Sequence, residues 1–345
     1  MLEILLFVGA AVSALLMTAA IYRYGSRISK LDVPNERSSH AIPTARGAGI
    51  AIVFVVLTTL AVLCISNTMA SRDAWSIGIG SLIVALVGHL DDRGRLTSAR
   101  WRLLGHLIAA IIIIVGLRGL PTLPVFGKSI DIGIVGSILA VVYLVWLLNL
   151  FNFMDGIDGF TGVETLTTAL CGAYLIWDIS PQSQLWFAPL ALAGAALGFL
   201  VLNWPPAKIF IGDVGSGFIG IVFGALSIQA AHLSSQLGWS WVILMGVFIV
   251  DATVTLIRRA LRGQRVYIAH RSHAYQHVAL RVGRHAPVSL GVGAINLFWL
   301  FPIALLVAHK TLDGFGGVLI AYTPLVVAAV FLNAGAAETE TRSRS

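Results

Sequence analysis

The sequence predicts an all-α polytopic membrane protein of about eleven transmembrane helices, with its chemistry gathered on one face. Three observations predict it. The chain of 345 residues is 57% hydrophobic and only 11% charged, where a soluble domain of this length carries about 25% charge. The apolar residues cluster in long, nearly charge-free windows, and the mean hydropathy is +0.88. The basic residues, in turn, collect in alternate loops between those windows.

The windows run at 4–22, 47–71, 74–90, 103–117, 132–154, 159–177, 185–203, 214–232, 239–257, 286–308 and 314–334. A helix needs roughly 17–25 apolar residues to cross the hydrocarbon core, so each window is read as one span, with 103–117 borrowing its flanks. Long unbroken runs mean helices, because membrane barrels use short alternating strands. The first window lacks a basic start, since the third residue is Glu3, and shows no small-residue cleavage pattern. It is therefore expected to be a retained helix. Cys64 and Cys171 fall inside spans and imply no disulfide framework. No repeat or linker divides the chain. The expectation is one integral-membrane domain over residues 1–335 and a flexible polar tail, 336–345.

Eleven spans put the two ends on opposite sides. The loops after the odd-numbered spans, with the tail, hold nineteen Lys and Arg; the other side holds only Arg72, Arg118, Lys128 and Lys310. The positive-inside rule then predicts an outward N-terminus and a cytoplasmic C-terminus. The net charge of +7 is largely this asymmetry, and suits anionic headgroups or an anionic substrate. No soluble basic module for nucleic acid is present.

Five polar stretches fall on the predicted cytoplasmic face: 31–49, 88–102, 149–160, 202–217 and 258–285. Asp91 and Asp92 are adjacent acids behind a helix C-terminus that is already negative, which is costly unless a cation sits there; a solvated loop eased by Arg93 and Arg95 is the plain alternative. Asn149, Asn152, Asp155 and Asp158 recur every third residue, so a persisting helix would put them on one face. Asp213, in "GDVGSG", opens a span whose first N–H groups can hold phosphate, with Lys208 five residues earlier; a helix cap is the alternative. His270, Arg271, His273, Gln276 and His277 lie within eight residues. Without cysteines or local acids, they fit diphosphate recognition better than zinc. Acids for Mg²⁺ and bases for phosphate at a membrane surface imply phosphoryl transfer between a nucleotide and a lipid.

These loops resemble those of the polyprenyl-phosphate N-acetylhexosamine-1-phosphate transferases. The resemblance rests on "DVPNERSSHAIPTARGAG", "HLDD", "NLFNFMDGIDG", "PAKIFIGDVGSGFIG" and the histidine-rich loop, in the family's order. It implies transfer of a sugar 1-phosphate from a UDP-sugar to undecaprenyl phosphate with loss of UMP. It also implies a Mg²⁺ cofactor (or Mn²⁺) and residence in the bacterial inner membrane, where a homodimer is compatible. By the same resemblance, Asp91, Asp92, Asp155, Asp158 and His273 are the expected catalytic residues. Arg37, His40, Arg46, Asn149, Asn152, Lys208, His270, Arg271 and His277 are the expected substrate contacts, and Asp213 and Asp92 the expected metal ligands. The translocase branch, which takes phospho-N-acetylmuramoyl-pentapeptide, has a lysine in its first motif and three histidines in a compact run. Here the first motif offers Arg37, His40 and Arg46, and the late loop reads "HRSHAYQH". That favours the branch that begins O-antigen chains, including those starting with 6-deoxy amino sugars.

The lipid phosphate is expected to attack the sugar-bearing phosphorus directly; a covalent aspartyl intermediate is the alternative. Two acids stand inside spans and are functional suspects by their place. Asp251 leads into the basic loop and is expected to order it or line the cleft, or to pair with Arg258. Glu164 lies just inside span six. A transporter or lipid flippase would instead place acids at mid-membrane.

Overall fold

The computed structural model describes residues 1–25, 31–32, 44–96, 98–130, 132–264 and 270–336. Arg37, His40 and the tail beyond Ala336 lie outside the described residues. In chain order the helices are α1 (Leu2–Gly25), α2 (Gly49–Ile65), α3 (Ser71–Asp92), α4 (Ala99–Gly116), α5 (Gly133–Met154), α6 (Phe160–Ile179), α7 (Phe187–Asn203) and α8 (Asp213–Leu233). There follow α9 (Ser235–Leu244), α10 (Gly246–Leu261), α11 (Ala274–Val282), α12 (Ala286–Ile295), α13 (Phe301–Ala308) and α14 (Gly314–Phe331). The chain is an all-α, multi-pass membrane protein. Each of the eleven windows falls on helix.

The span count differs from the expectation in detail. Among the described residues, seven helices are long and apolar enough to cross a membrane, or eight if α9 and α10 form one bent span. The other three windows fall on α2, α7 and α6. The first two have 17 residues each, at the short limit for a span. Helix α6 carries Glu164 and four buried threonines, which lower its hydropathy while its neighbours cover it.

Burial ranks the helices. In α8 every residue from Val214 to Ala231 is buried, so it is the axle of the bundle and apolar on all sides. Helices α1 and α14 are peripheral and expose large apolar side chains such as Leu5, Leu16 and Phe331. Such faces suit lipid rather than water.

Close backbone approach fixes the helices around α8. A Cβ on Gly88 of α3 would lie 2.5 Å from the Asp213 carbonyl oxygen, and one on Gly49 of α2 would lie 2.3 Å from the Gly215 Cα. The small residues let the backbones touch, which is how helices pack tightly in lipid. One small sheet braces the same end: β1 (Leu31–Asp32) pairs antiparallel with β2 (Thr44–Arg46), and β2 pairs parallel with β5 (Ile209–Phe210). At the opposite end β3 (Leu123–Val125) and β4 (Lys128–Ile130) make a hairpin.

Two helices depart from straight α geometry. Helices α9 and α10 meet at 66°, and the Leu244 carbonyl freed there accepts a 3.4 Å bond from the Thr168 hydroxyl. Between α12 and α13, residues Asn296–Leu300 form a π-helical turn, just before Pro302, which has no N–H to give the carbonyl four residues back. Glu164 is fully buried beside that turn. Its carboxylate accepts from Asn296 Nδ2 at 2.7 Å and from the Thr168 hydroxyl at 3.4 Å. It joins α6 to the turn and touches no predicted site residue through these bonds.

Candidate active site

The C-terminal ends of α3 and α5 and the N-terminal ends of α4 and α8 meet at one end of the bundle. Between them lies a cavity of about 510 Å³ lined by Asp91, Arg102, His106, Asn149, Asn152, Asp213, His270 and His273, and by the apolar Val84, Val87, Leu103 and Leu148. Four of the five polar stretches thus contribute to one wall system. The fifth, residues 31–49, contributes Arg46 just outside the lining.

The adjacent acids diverge because consecutive residues on a helix point about 100° apart. Asp91 turns to α4, where its Oδ2 accepts from Arg102 Nη1 at 2.5 Å. Asp92 turns to α8 and caps it: its Oδ1 accepts from the Asp213 amide at 3.0 Å and its Oδ2 from the Val214 amide at 3.1 Å. A cap from another helix is needed because Gly212, at φ +76°, has no side chain, and a Cβ there would lie 2.7 Å from Asp92 Oδ2. Parallel pairing of Arg46 with Phe210 sets Arg46 between the two acids. Its Nε lies 3.0 Å from Asp92 Oδ1, and its Nη2 bonds Asp213 Oδ1.

This arrangement tests the predicted metal ligands. Mg²⁺ commonly takes one or two carboxylates and completes its shell with substrate phosphate and water. Asp213 fits: its Oδ1 meets Arg46, and the side chain lines the cavity. Both oxygens of Asp92 already serve the start of α8 and Arg46, so it would have to release one of them to bind a metal.

The row from 149 to 158 does not stay on one face. Helix α5 ends at Met154 and Asp155 is its C-terminal cap. Asn149 and Asn152 line the cavity; Asn152 Nδ2 donates to the Ser216 hydroxyl at 3.2 Å. Burial pushes the Asp155 carboxyl up to about 7. Beyond the break, Asp158 turns away from the cavity. Its Oδ2 accepts from the Ala207 amide at 3.1 Å and lies 3.2 Å from His285 Nδ1, while its carbonyl accepts from the Ser289 hydroxyl at 2.9 Å. Asp158 ties the loop to the segment before β5 and to the start of α12.

The histidines divide in the same way. His270 and His273 line the cavity and stack with ring centroids 5.0 Å apart. Burial, with His273 and Arg259 adding to it, pushes the His270 imidazole down to about 3. It is therefore a neutral hydrogen-bonding group at working pH and adds no positive charge. His277 is buried on α11 away from the lining, its Nε2 without a partner among the described residues. Arg271 also lies outside the lining, and Lys208 is exposed on the turn before β5.

Tyr275 joins this wall to α5. Its hydroxyl donates to the Phe153 carbonyl at 3.2 Å, and a Cβ on Gly156 would lie 2.2 Å from that hydroxyl oxygen. The wall is also clasped from the C-terminal side. The Gly335 amide donates to the Ser272 carbonyl at 2.6 Å, and Arg258 and Arg262 donate to the Ala334 and Gly335 carbonyls at 2.6 and 2.8 Å. Arg258 is thus bonded to the Ala334 carbonyl just past α14 rather than to Asp251.

Sequence reasoning passed over Arg102 and His106 as site residues. Both face the cavity from α4, whose cap, Ser98 Oγ, accepts from the Arg100 amide at 3.3 Å. Counting from that cap, Ala99, Arg102 and His106 fall on one helical face, the signal that would have found them.

Comparison with known proteins shows the family. Residues 74–231 match the model of glycosyl transferase family 4. The chain is 31% identical over 286 residues to a probable undecaprenyl-phosphate N-acetylglucosaminyl 1-phosphate transferase of Bacillus subtilis, covering 79% of this chain and 76% of that protein. It is 29% identical to a decaprenyl-phosphate N-acetylglucosaminephosphotransferase of Mycobacterium tuberculosis, covering 79% of this chain and 74% of that protein. It is 26% identical to a phospho-N-acetylmuramoyl-pentapeptide-transferase of Halalkalibacterium halodurans, covering 71% and 78%. Most of each chain aligns, and the family match runs through the acids of α3, α5 and α8. The chain belongs to glycosyl transferase family 4.

Proposed function

We propose that this protein transfers an N-acetylhexosamine 1-phosphate from a UDP-sugar to undecaprenyl phosphate, releasing UMP, at the cytoplasmic face of the bacterial inner membrane. The observation that carries the reading is the cavity itself: acids and an arginine together with the apolar side chains of Val84, Val87, Leu103 and Leu148, at the end of a membrane bundle. A headgroup phosphate and the first carbons of a lipid need that combination. The basic bias of the loops at this end supports the cytoplasmic orientation. The Bacillus and Mycobacterium relatives support N-acetylglucosamine as the sugar, and the interrupted histidine run supports a role in starting O-antigen or a similar surface polysaccharide over the pentapeptide reaction.

The lipid phosphate, with a second pKa of about 6, is largely dianionic at neutral pH. It needs little proton abstraction, so the residues act mainly by positioning and charge neutralisation. Arg102, steadied by Asp91, presents a guanidinium to a phosphate in the cavity. Asn149 and Asn152 offer amides from the α5 wall, and His273 offers a ring nitrogen opposite them. Asp213 would hold Mg²⁺ (or Mn²⁺), which when bound draws negative charge from the diphosphate.

Purified protein in detergent or nanodiscs, given undecaprenyl phosphate, Mg²⁺ and a panel of UDP-N-acetyl sugars, tests the reading. The panel includes UDP-N-acetylglucosamine, a 6-deoxy analogue and UDP-N-acetylmuramoyl-pentapeptide. UMP release with an N-acetylhexosamine donor is the expected result. No release with any donor ends the proposal, and release with the pentapeptide donor alone reassigns the branch.

A further inference from the structure

We propose that Asp251 is a positioning residue for His273. Its carboxylate fixes the imidazole as the Nδ1–H tautomer and aims Nε2 into the cavity. The proposal deepens the transfer reading and rests on it for the role of His273, while its geometry stands apart from substrate identity.

Asp251 sits in the second turn of α10, just past the 66° break, with 8% of its side chain exposed. Its backbone and hydroxyl partners are all donors. Oδ1 accepts from the Ala274 amide at 2.9 Å and from the Thr255 hydroxyl at 3.1 Å, and Oδ2 accepts from the Tyr275 amide at 2.9 Å. A buried acid inside a membrane helix is thereby satisfied at the N-terminus of α11, where a negative charge is favoured. The fourth contact is His273 Nδ1, 3.3 Å from Oδ1. A lone pair on Nδ1 would face a carboxylate oxygen there, whereas an N–H makes a charge-assisted bond.

The ring has little freedom to choose otherwise. It stacks on His270 at 5.0 Å and on Tyr275 at 5.7 Å, and Tyr275 is backed by Phe160 at 4.5 Å. Turning the ring over would set a C–H against the carboxylate and lose the bond. His273 lines the cavity, and its side chain also faces the Gln276 backbone in the capping box that opens α11. The nitrogen left over from Asp251 is the one that reaches a phosphoryl oxygen. A carboxylate that holds a histidine in one tautomer is a general device for presenting the far nitrogen. Here the same carboxylate also caps the helix that carries the histidine, so the ring and its backbone move as one piece.

Two measurements test it. In wild-type protein labelled with ¹⁵N-histidine, the His273 resonances are identified by their loss in His273→Gln. The expected result is a proton on Nδ1 and none on Nε2 in the neutral ring. A proton on Nε2 overturns the proposal. This experiment needs no substrate, so it gives its answer even if no donor releases UMP, and it does not depend on a variant folding. In turnover, Asp251→Asn removes the carboxylate charge that holds Nδ1–H, and it is expected to lower kcat about 100-fold with KM for the donor within about threefold. In a His273→Gln background the same substitution is expected to cost less than about threefold, because coupled residues are not additive. An equal loss in both backgrounds would mean that Asp251 acts through the helix cap alone. That result, or full kcat in Asp251→Asn, overturns the positioning role.

Discussion

Two aspartates in this molecule do the same structural work with different outcomes. Asp92, at the end of α3, accepts the first two amides of α8; Asp251, in α10, accepts the first two amides of α11. Each lies on a neighbouring helix and satisfies donors the capped helix cannot satisfy itself. Asp92 also holds Arg46, which reaches on to Asp213, so the acid is locked into a network of fixed charge. Asp251 also meets His273, which lines the cavity. A cap that carries an arginine builds a rigid corner; a cap that carries a histidine builds a corner with a usable edge. The first corner serves α8, the buried axle, and the second serves a nine-residue helix at the rim.

The comparison breaks most severely at Asp92. Asp92→Ala leaves two amides of α8 without their acceptor and removes one of the acids that hold Arg46, and the loss of a largely buried ion-pair partner costs roughly 3 kcal/mol. Thermal unfolding followed by tryptophan fluorescence should show a large fall in Tm, together with loss of UMP release. Next comes Gly156→Ala, whose added methyl would meet the Tyr275 hydroxyl at 2.2 Å and force the α5 end from the histidine wall. A cost of about 1–3 kcal/mol is expected, and Tyr275→Phe combined with it should recover part of the Tm, because the clashing oxygen is gone. Asp158→Ala should lower Tm through the lost bond from the Ala207 amide, about 1–2 kcal/mol, while KM for the donor stays within twofold to threefold of wild type. A strong rise in KM would instead put Asp158 in the site.

A smaller effect is read in pH. Burial raises the Asp155 carboxyl from 3.8 to about 7, so the folded protein binds that proton more tightly than the unfolded chain. Its contribution to stability is full below pH 3.8 and is lost as pH rises towards about 7. Asp155→Asn should therefore unfold at a higher temperature than wild type by a margin that grows from pH 4 to pH 7 and levels off above it, measured without divalent cations. A constant margin would contradict the raised carboxyl. Smallest of all, Lys208→Ala should leave kcat and Tm near wild type, since the side chain is exposed outside the cavity lining.

Much of this was legible in the sequence, for reasons particular residues make clear. The eleven apolar windows all became helix because hydrophobic runs of that length have no other stable form in lipid. Asp91, Asn149, Asn152, Asp213, His270 and His273 were found from local chemistry and do share one cavity. What escaped was set by direction rather than identity. Asp91 and Asp92 looked like one acidic pair, but a helix sends neighbours to different partners. Asp155 and Asp158 continued a three-residue spacing that the backbone abandons at Met154, where Gly156 must clear Tyr275 from a helix over a hundred residues later. That contact has no local signal. Arg102 and His106 were hidden because a basic residue near a loop reads as orientation bias before it reads as a site. Asp251 was visible as a buried acid leading into the basic loop, with Arg258 as the plain alternative partner, but its bonds to the first amides of α11 have no local signal in the sequence.

The most direct test of the central claim, that this cavity performs the transfer, follows labelled N-acetylglucosamine 1-phosphate from its UDP donor into undecaprenyl phosphate. Wild type is compared with Asp213→Asn across a Mg²⁺ titration. Labelled lipid and stoichiometric UMP from wild type, with at least about a 100-fold loss in Asp213→Asn, is the predicted result. Labelled lipid formed equally well by Asp213→Asn, with the same Mg²⁺ dependence, would contradict the account.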